Sequence, residues 1–175
     1  MFMFVGCDIL TTNIETKPGI IGTWWSQATK EMVVFNSENR GIWSQYSAPS
    51  LIVFSFEVDD SEVIVSRITG QYELSFSYDG TDTFLDNNNI GFVRIKGNDV
   101  VGIWKYGDIV YYYVLAPNGE GMLRAGSNIR KLKYTVNGNS IIATLLGEDG
   151  GIIKLTYIAG ENILVDNSGR ILTRQ

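Results

Sequence analysis

The sequence of 175 residues contains no histidine and only one cysteine. Without histidine, the chain lacks the side chain that most often acts as a general base near neutral pH or as a metal ligand. A single cysteine cannot form an intramolecular disulfide bond or a thiolate zinc site. Only carboxylate, serine, tyrosine or lysine chemistry is left. We therefore predict that the protein is not an enzyme and has no metal site, no catalytic residues and no cofactor.

Carboxylates need separate consideration because a glycosidase requires only two of them. No acidic pair is placed by the sequence at opposed sites in a cleft. The acidic residues in or beside predicted turns, where aspartate is favoured for backbone reasons, are Asp59, Asp60, Asp79, Asp82, Asp86, Glu148 and Asp149. An enzyme that uses these carboxylates is kept as an alternative, and it would need a deep cleft with at least two close acids.

Positive charge is also scarce. Lysine and arginine number 14 against 19 acidic residues, which gives a net charge of −5. The basic residues are scattered, apart from the short group Arg130, Lys131 and Lys133. Because nonspecific binding to nucleic acid depends on neutralising phosphates, we predict no nucleic-acid partner.

Long apolar runs and helical patterns are nearly absent. No segment approaches the length of a transmembrane helix, and the best helical candidate, residues 25–31, is short and has no repeated apolar stripe. The three prolines fall outside the predicted strands, as a sheet requires.

Strand signals dominate instead, as short β-branched and aromatic runs that alternate with polar residues and end at turn residues. The predicted strands cover residues 22–26, 31–36, 41–46, 51–58, 62–68, 71–78, 82–86 and 91–96, and then 100–106, 109–115, 120–125, 130–136, 140–146, 151–158, 161–166 and 170–174. Many short strands joined by tight turns indicate antiparallel meanders.

An internal repeat divides the chain. Gly22-Thr-Trp24 returns as Gly102-Ile-Trp104, and Arg94 near the end of the first unit returns as Arg174. Further matches in the same order align residues 35–41 with 115–121, Phe56 with Tyr134, Val63 with Ile141, Phe76 with Tyr157 and Leu85 with Val165. Such a repeat indicates two copies of one structural unit. We predict a tail over 1–18, a first repeat over 19–97 and a second over 98–175.

The Gly-x-Trp opening and the arginine in the last strand of each unit resemble lipocalin-like barrels, particularly the short modules of secreted bacterial lipoproteins. This resemblance implies that Trp24 and Trp104 each plug one end of a barrel, and that Arg94 and Arg174 lie across their rings. The four residues are therefore assigned structural roles. The predicted fold is all-β, with two similar antiparallel meander units that each form a small lipocalin-like barrel or half-open barrel.

Aromatic residues beyond the plugs are the candidates for ligand binding. They are Trp25, Trp43, Tyr46, Tyr111 and Tyr113. If these side chains face outward, they can stack on sugar rings or anchor a protein partner. The alternative is that they form the contact between the two repeats or face the core.

The amino-terminal segment carries a second resemblance. Val5-Gly6-Cys7 is similar to the lipobox of bacterial lipoproteins, in which the cysteine becomes the lipidated first residue. Residues 1–18 are then the remnant of a signal peptide followed by a tether, with the start codon assigned too far downstream. The alternative is an irregular or strand-forming terminus in which Cys7 is incidentally buried.

Together these features predict a non-enzymatic binding or scaffolding protein of the bacterial cell envelope, in the periplasm or at the outer membrane. It would be lipocalin-like and lipid-anchored through Cys7, and its partner would be a small apolar ligand, a glycan or a protein. The membrane would be contacted only through that anchor. One alternative is a cytoplasmic interaction protein of the immunity type, if Met1 is the true start. Another is a carbohydrate-binding module.

Overall fold

The computed structural model describes residues 19–59, 62–67, 73–78, 80–97, 99–148 and 150–175. The predicted tail with Cys7 lies outside the described residues, as do Asp60, Asp79 and Asp149 among the predicted turn acids. In the described ranges every regular element is a β-strand. The all-β prediction is confirmed.

The first repeat contains strands β1 to β8, which are Gly22–Ser26, Glu31–Phe35, Arg40–Gln45, Ser50–Asp59, Glu62–Arg67, Glu73–Tyr78, Thr83–Asp86 and Gly91–Arg94. The second contains β9 to β16, which are Gly102–Tyr106, Tyr111–Leu115, Glu120–Ala125, Asn128–Asn137, Ser140–Leu145, Ile152–Ile158, Ile163–Asp166 and Ile171–Arg174. The predicted strand limits differ from these by at most two residues.

Each repeat forms a closed antiparallel barrel of eight strands, in which every strand pairs with its neighbour in the chain. The last strand of each barrel returns to pair with the first. Trp24 on β1 lies opposite Arg94 on β8, and Trp104 on β9 lies opposite Arg174 on β16. The equivalent closure explains why the Trp and Arg positions recur at the same spacing.

One part of the predicted repeat alignment is wrong. Phe76 was aligned with Tyr157, but the equivalent of Tyr157 is Tyr78, because their rings lie at the same distance, 5.7 Å, from Trp104 and Trp24 respectively. The number of residues between β5 and β6 differs from the number between β13 and β14. The alignment by residue type therefore matched Tyr157 with Phe76, the inward-facing aromatic residue two positions before Tyr78.

Aromatic side chains fill the interior of the first barrel. Phe35 makes edge-to-face contacts with four other rings at centroid distances of 4.9–6.1 Å. The buried cluster consists of Ile20, Trp24, Val33, Phe35, Trp43, Phe54, Phe56, Val63, Phe76, Tyr78, Phe84 and Phe92. Gly41 belongs to this packing, since a Cβ at that position would lie only 2.6 Å from the carbonyl oxygen of Val34. The barrel interior is a packed core, as small barrels commonly are.

The second barrel has its own buried apolar core. A separate apolar cluster joins the two barrels through the outer faces of their first strands. The first barrel contributes Trp25, Met32, Val34, Ile42 and Leu51, and the second contributes Val101, Ile103, Tyr112, Val114, Ala116 and Met122. Two polar contacts lie beside this cluster: an ion pair of 2.8 Å between Lys30 and Glu120, and a hydrogen bond of 2.8 Å from Arg124 to the carbonyl oxygen of Leu51. Strands β2 and β10 are consequently buried on both faces.

Candidate functional site

The end of the first barrel is closed by Trp24, which is fully buried. Its indole N–H donates to the carbonyl oxygen of Ile20 at 2.8 Å, and the guanidinium carbon of Arg94 lies 4.1 Å from the ring centroid. Arg94 also donates to the carbonyl oxygens of Ile21 at 2.6 Å and Gly19 at 2.7 Å. One arginine thereby covers the tryptophan and fixes the chain that enters the barrel.

The second barrel repeats this arrangement at Trp104, which is also fully buried. Its indole N–H donates to the carbonyl oxygen of Val100 at 2.9 Å, and the guanidinium carbon of Arg174 lies 4.6 Å from the ring centroid. Arg174 donates to the carbonyl oxygen of Asp99. Burial lowers the pKa of the Arg174 guanidinium, although Tyr157 and Asp99 act in the opposite direction.

Beside the Trp104 plug lies a cleft of about 610 Å³ that opens to solvent. Its walls come from the segment that enters β9, from the turns that follow β10, β12 and β14, and from the inner side of the barrel end. The lining residues are Asp99, Val100, Val101, Pro117, Gly119, Tyr134, Val136, Gly138, Asn139, Tyr157 and Ala159. The cleft is thus a largely apolar concavity with two tyrosine rings and one carboxylate.

Local backbone chemistry holds the cleft in shape. Gly119 and Gly138 have φ values of +77° and +58°, a region in which glycine carries no steric penalty. The Asp99 carboxylate accepts a hydrogen bond from the backbone N–H of Val101 at 3.0 Å. The Tyr134 hydroxyl donates to the carbonyl oxygen of Ala116 at 2.6 Å. Burial raises the pKa of Tyr134, and the charge of Asp99 adds to the effect.

Two of the aromatic residues predicted to bind ligand lie between the barrels. Trp25 belongs to the inter-barrel cluster, and its indole N–H donates to the side-chain oxygen of Gln27 at 3.1 Å. Tyr46 packs against the same cluster, with the ammonium nitrogen of Lys131 4.8 Å from its ring centroid. Their side chains join the two repeats.

The other three candidates, Trp43, Tyr111 and Tyr113, belong to the clusters inside the barrels. The hydroxyl groups of Tyr111 and Tyr113 lie 3.2 Å apart, and the guanidinium carbon of Arg170 lies 4.3 Å from the Tyr111 ring centroid. Four of the five candidates are therefore buried. The structure thus places these aromatic residues in the contact between the repeats and in the barrel cores, which is the alternative given for them, and not on an outward-facing stacking surface.

Sequence reasoning did not select the cleft residues Asp99, Tyr134 and Tyr157 as a site. Tyr134 was noted only as the repeat match of Phe56, and Asp99 lies in the connection between the repeats. A signal for Asp99 was its position three residues before the Gly-x-Trp opening at Gly102. Nothing in the strand pattern placed it next to Tyr134.

A buried acid, Glu31, lies inside the first barrel with only 8% of its surface exposed. Gln45 donates to its carboxylate at 3.0 Å. Burial raises the pKa of Glu31 and the charge of Asp86 adds to this, while the neighbouring Gln45, Thr29 and Trp43 act to lower it. The indole N–H of Trp43 is itself buried without a partner at hydrogen-bonding geometry.

We expect Glu31→Gln to stabilise the protein near neutral pH and to have a smaller effect in acid. Because folding raises the pKa of Glu31, the folded state binds this proton more tightly than the unfolded chain does. This tighter proton binding stabilises the folded state below the ordinary glutamate pKa, and the stabilisation is lost as the pH rises through the raised pKa of Glu31. Denaturant unfolding of wild type and variant at about pH 3.5 and about pH 7.5 measures this difference.

The matched control for that experiment is Glu57→Gln, because Glu57 lies on an exposed part of β4. We expect its effect to be small at both pH values. A Glu31→Gln variant that loses stability more strongly at neutral pH than in acid would contradict the expectation.

The fold and the cleft define an all-β protein with two closed eight-stranded barrels and a concave surface at one end of the second. No family model, curated protein or solved structure matches this chain. Among the described residues there is no helix of the length and apolar character needed to cross a membrane. The described part of the chain likewise contains no group of three or more acidic, cysteine or histidine residues that could hold a metal ion.

Proposed function

We propose that this chain is a non-enzymatic binding protein of the bacterial cell envelope, built from two lipocalin-like repeats, and that its ligand occupies the cleft beside Trp104. The observation that carries this proposal is the cleft volume of about 610 Å³. Typical ligand sites span about 300–1,000 Å³ and are mostly apolar with a few polar groups. The lining of this cleft has that character.

The packing of the barrels determines where the ligand binds. Side chains fill the interiors, so the ligand binds at the end of the barrel and not within it. The cleft is short and its apolar surface comes mainly from valine, proline, alanine and tyrosine. A small molecule with an apolar or aromatic body fits this surface better than a polymer.

A titration with 2-phenylethanol, a small neutral aromatic probe, tests the proposal. We expect the backbone amide signals of Val101, Gly119 and Asn139 to shift in ¹H–¹⁵N NMR spectra. Ala159→Trp would fill the cleft and weaken the probe's affinity at least about tenfold, since occupied space is no longer available to ligand. Ile152→Trp is the control, because Ile152 is 66% exposed on the outer face of β14 and lies outside the cleft lining.

If the amides of the cleft do not shift, or if Ala159→Trp binds the probe as wild type does, the cleft is not the ligand site. Cellular location is a separate part of the proposal, and it is supported by the resemblance of Val5-Gly6-Cys7 to a lipobox. Mass spectrometry of protein extracted from membranes would detect an acylated Cys7. An unmodified Cys7 would favour the cytoplasmic interaction protein.

A further inference from the structure

We propose that the cleft recognises an organic cation, with an apolar or aromatic body held between Tyr134 and Tyr157 and a single ammonium group at Asp99. This inference rests on the proposed function, since it names the chemistry of the ligand for the same cleft. It follows from the charges and the hydrogen bonds of the lining.

The first observation is the charge of the lining. Among the described residues that line the cleft, Asp99 is the one with a formal charge at neutral pH, and none is a lysine or an arginine. Its side chain is exposed, and the hydrogen bond to the Val101 N–H at 3.0 Å holds it at the rim. The ion pairs found among the described residues do not include Asp99. A negative charge therefore stands at the edge of an apolar concavity.

Arg174 contacts the backbone of Asp99, and burial lowers the pKa of Arg174 while the charge of the Asp99 carboxylate opposes this effect. Its guanidinium lies over the Trp104 ring and donates to the backbone carbonyl oxygen of Asp99, not to the carboxylate. Asp99 and Tyr134 both line the cleft, and burial together with the carboxylate charge of Asp99 raises the pKa of Tyr134. A ligand ammonium beside this carboxylate would gain an opposite charge without displacing Arg174.

The second observation concerns the tyrosine rings. The Tyr134 hydroxyl donates to the carbonyl oxygen of Ala116 at 2.6 Å, and the Tyr157 hydroxyl donates to the side-chain oxygen of Asn162 at 3.5 Å. Both rings line the cleft, and the Tyr157 ring also packs edge to face against the Trp104 ring at 5.7 Å. Aromatic faces attract cations and apolar groups alike. Two rings and one carboxylate form the kind of surroundings that favour an ammonium group on an apolar body.

The first repeat shows that this chemistry is not a requirement of the fold. Its equivalents of Asp99 and Tyr134 are Gly19 and Phe56, and its acid beside the plug, Asp82, lies 3.1 Å from the Nε of Arg94. In the second repeat the position equivalent to Asp82 is Asn162. In the first barrel the carboxylate of Asp82 pairs with an arginine. In the second barrel a carboxylate at a different position, that of Asp99, lies at the cleft.

Three probes of similar size test the inference: 2-phenylethylammonium, neutral 2-phenylethanol and anionic phenylacetate. We expect affinity to fall in that order, measured from the NMR shifts of the Val101 and Gly119 amides at low ionic strength, where exposed charges are least screened. Asp99→Asn keeps an oxygen acceptor for the Val101 N–H and removes the charge. It should weaken binding of the cation about fivefold and leave 2-phenylethanol unchanged.

Asp108→Asn is the matched control, since it removes the same charge from an exposed turn outside the cleft. It should leave the affinity for all three probes unchanged. If Asp99→Asn fails to fold, the salt dependence of wild type serves instead, because added salt should weaken binding of the cation, strengthen binding of the anion and leave 2-phenylethanol unchanged. Equal affinity for the cation and the alcohol, or an unaltered cation affinity in Asp99→Asn, overturns the inference but leaves the cleft as a binding site. If none of the probes shifts the cleft amides, the proposed function itself fails.

Discussion

Replacing Trp104 by alanine is expected to lower the free energy of unfolding by about 3–5 kcal/mol. Trp104 is fully buried, its ring lies 5.7 Å from that of Tyr157, and Arg174 covers one face. The substitution removes this packing and also leaves the carbonyl oxygen of Val100 without its indole donor, a loss of about 1 kcal/mol. Denaturant unfolding followed by far-ultraviolet circular dichroism measures the effect.

Two further variants make this result interpretable. Ile152→Ala removes a large apolar side chain that is 66% exposed, and its effect should stay within about 0.5 kcal/mol. Trp104→Phe keeps a ring in the barrel end but loses the N–H donor, so its cost should be intermediate. If Trp104→Ala costs no more than Ile152→Ala, the tryptophan does not close the barrel.

The sequence was sufficient to predict the strands because the determinants of strand ends are local. Turn pairs such as Asn118-Gly119 and Asn137-Gly138 separate the apolar runs, and the structure has turns at these positions. The repeat predicted two similar units but left open whether each is a closed or a half-open barrel. The contact between the Trp and the Arg was implied by the resemblance to lipocalin-like barrels, and the structure pairs the strands that carry these residues.

The burial of the outer faces was not predictable in the same way. A single barrel should leave one face of each strand wet, yet the outer residues Met32 and Val34 on β2, and Tyr112 and Val114 on β10, are buried. Their burial comes from the other barrel and not from their own sheet. The continuous apolar runs of β2 and β10 carried a hint of this, but the pairing of these two faces depends on tertiary packing.

The cleft was the least predictable feature because no single segment contains it. Asp99 enters from the connection between the repeats, and Tyr134 and Tyr157 come from two later strands. Closure of the barrel brings them together across more than half of the second repeat. Asp99 is also indistinguishable in sequence from an aspartate that merely caps a turn, and it does accept such a backbone hydrogen bond.

Replacing Val114 by aspartate is expected to lower the free energy of unfolding by about 3–5 kcal/mol, because it places a carboxylate without a partner in an apolar contact. Val114 is 4% exposed and lies in the cluster that joins the barrels. The inward neighbours on β10, Tyr113 and Leu115, belong to the core of the second barrel and are not altered. The damage should therefore fall on the contact between the barrels more than on either barrel.

This expectation has a second readout, the cooperativity of unfolding. If the shared cluster couples the barrels, wild type should unfold in one calorimetric transition and Val114→Asp in two, one for each barrel. Ile142→Asp is the control, since Ile142 is 43% exposed on the outer face of β13 and lies outside the shared cluster. It should lower stability only slightly and keep one transition. A Val114→Asp variant that behaves like Ile142→Asp would show that the barrels do not depend on this contact. The buried outer faces of β2 and β10 would then need another explanation.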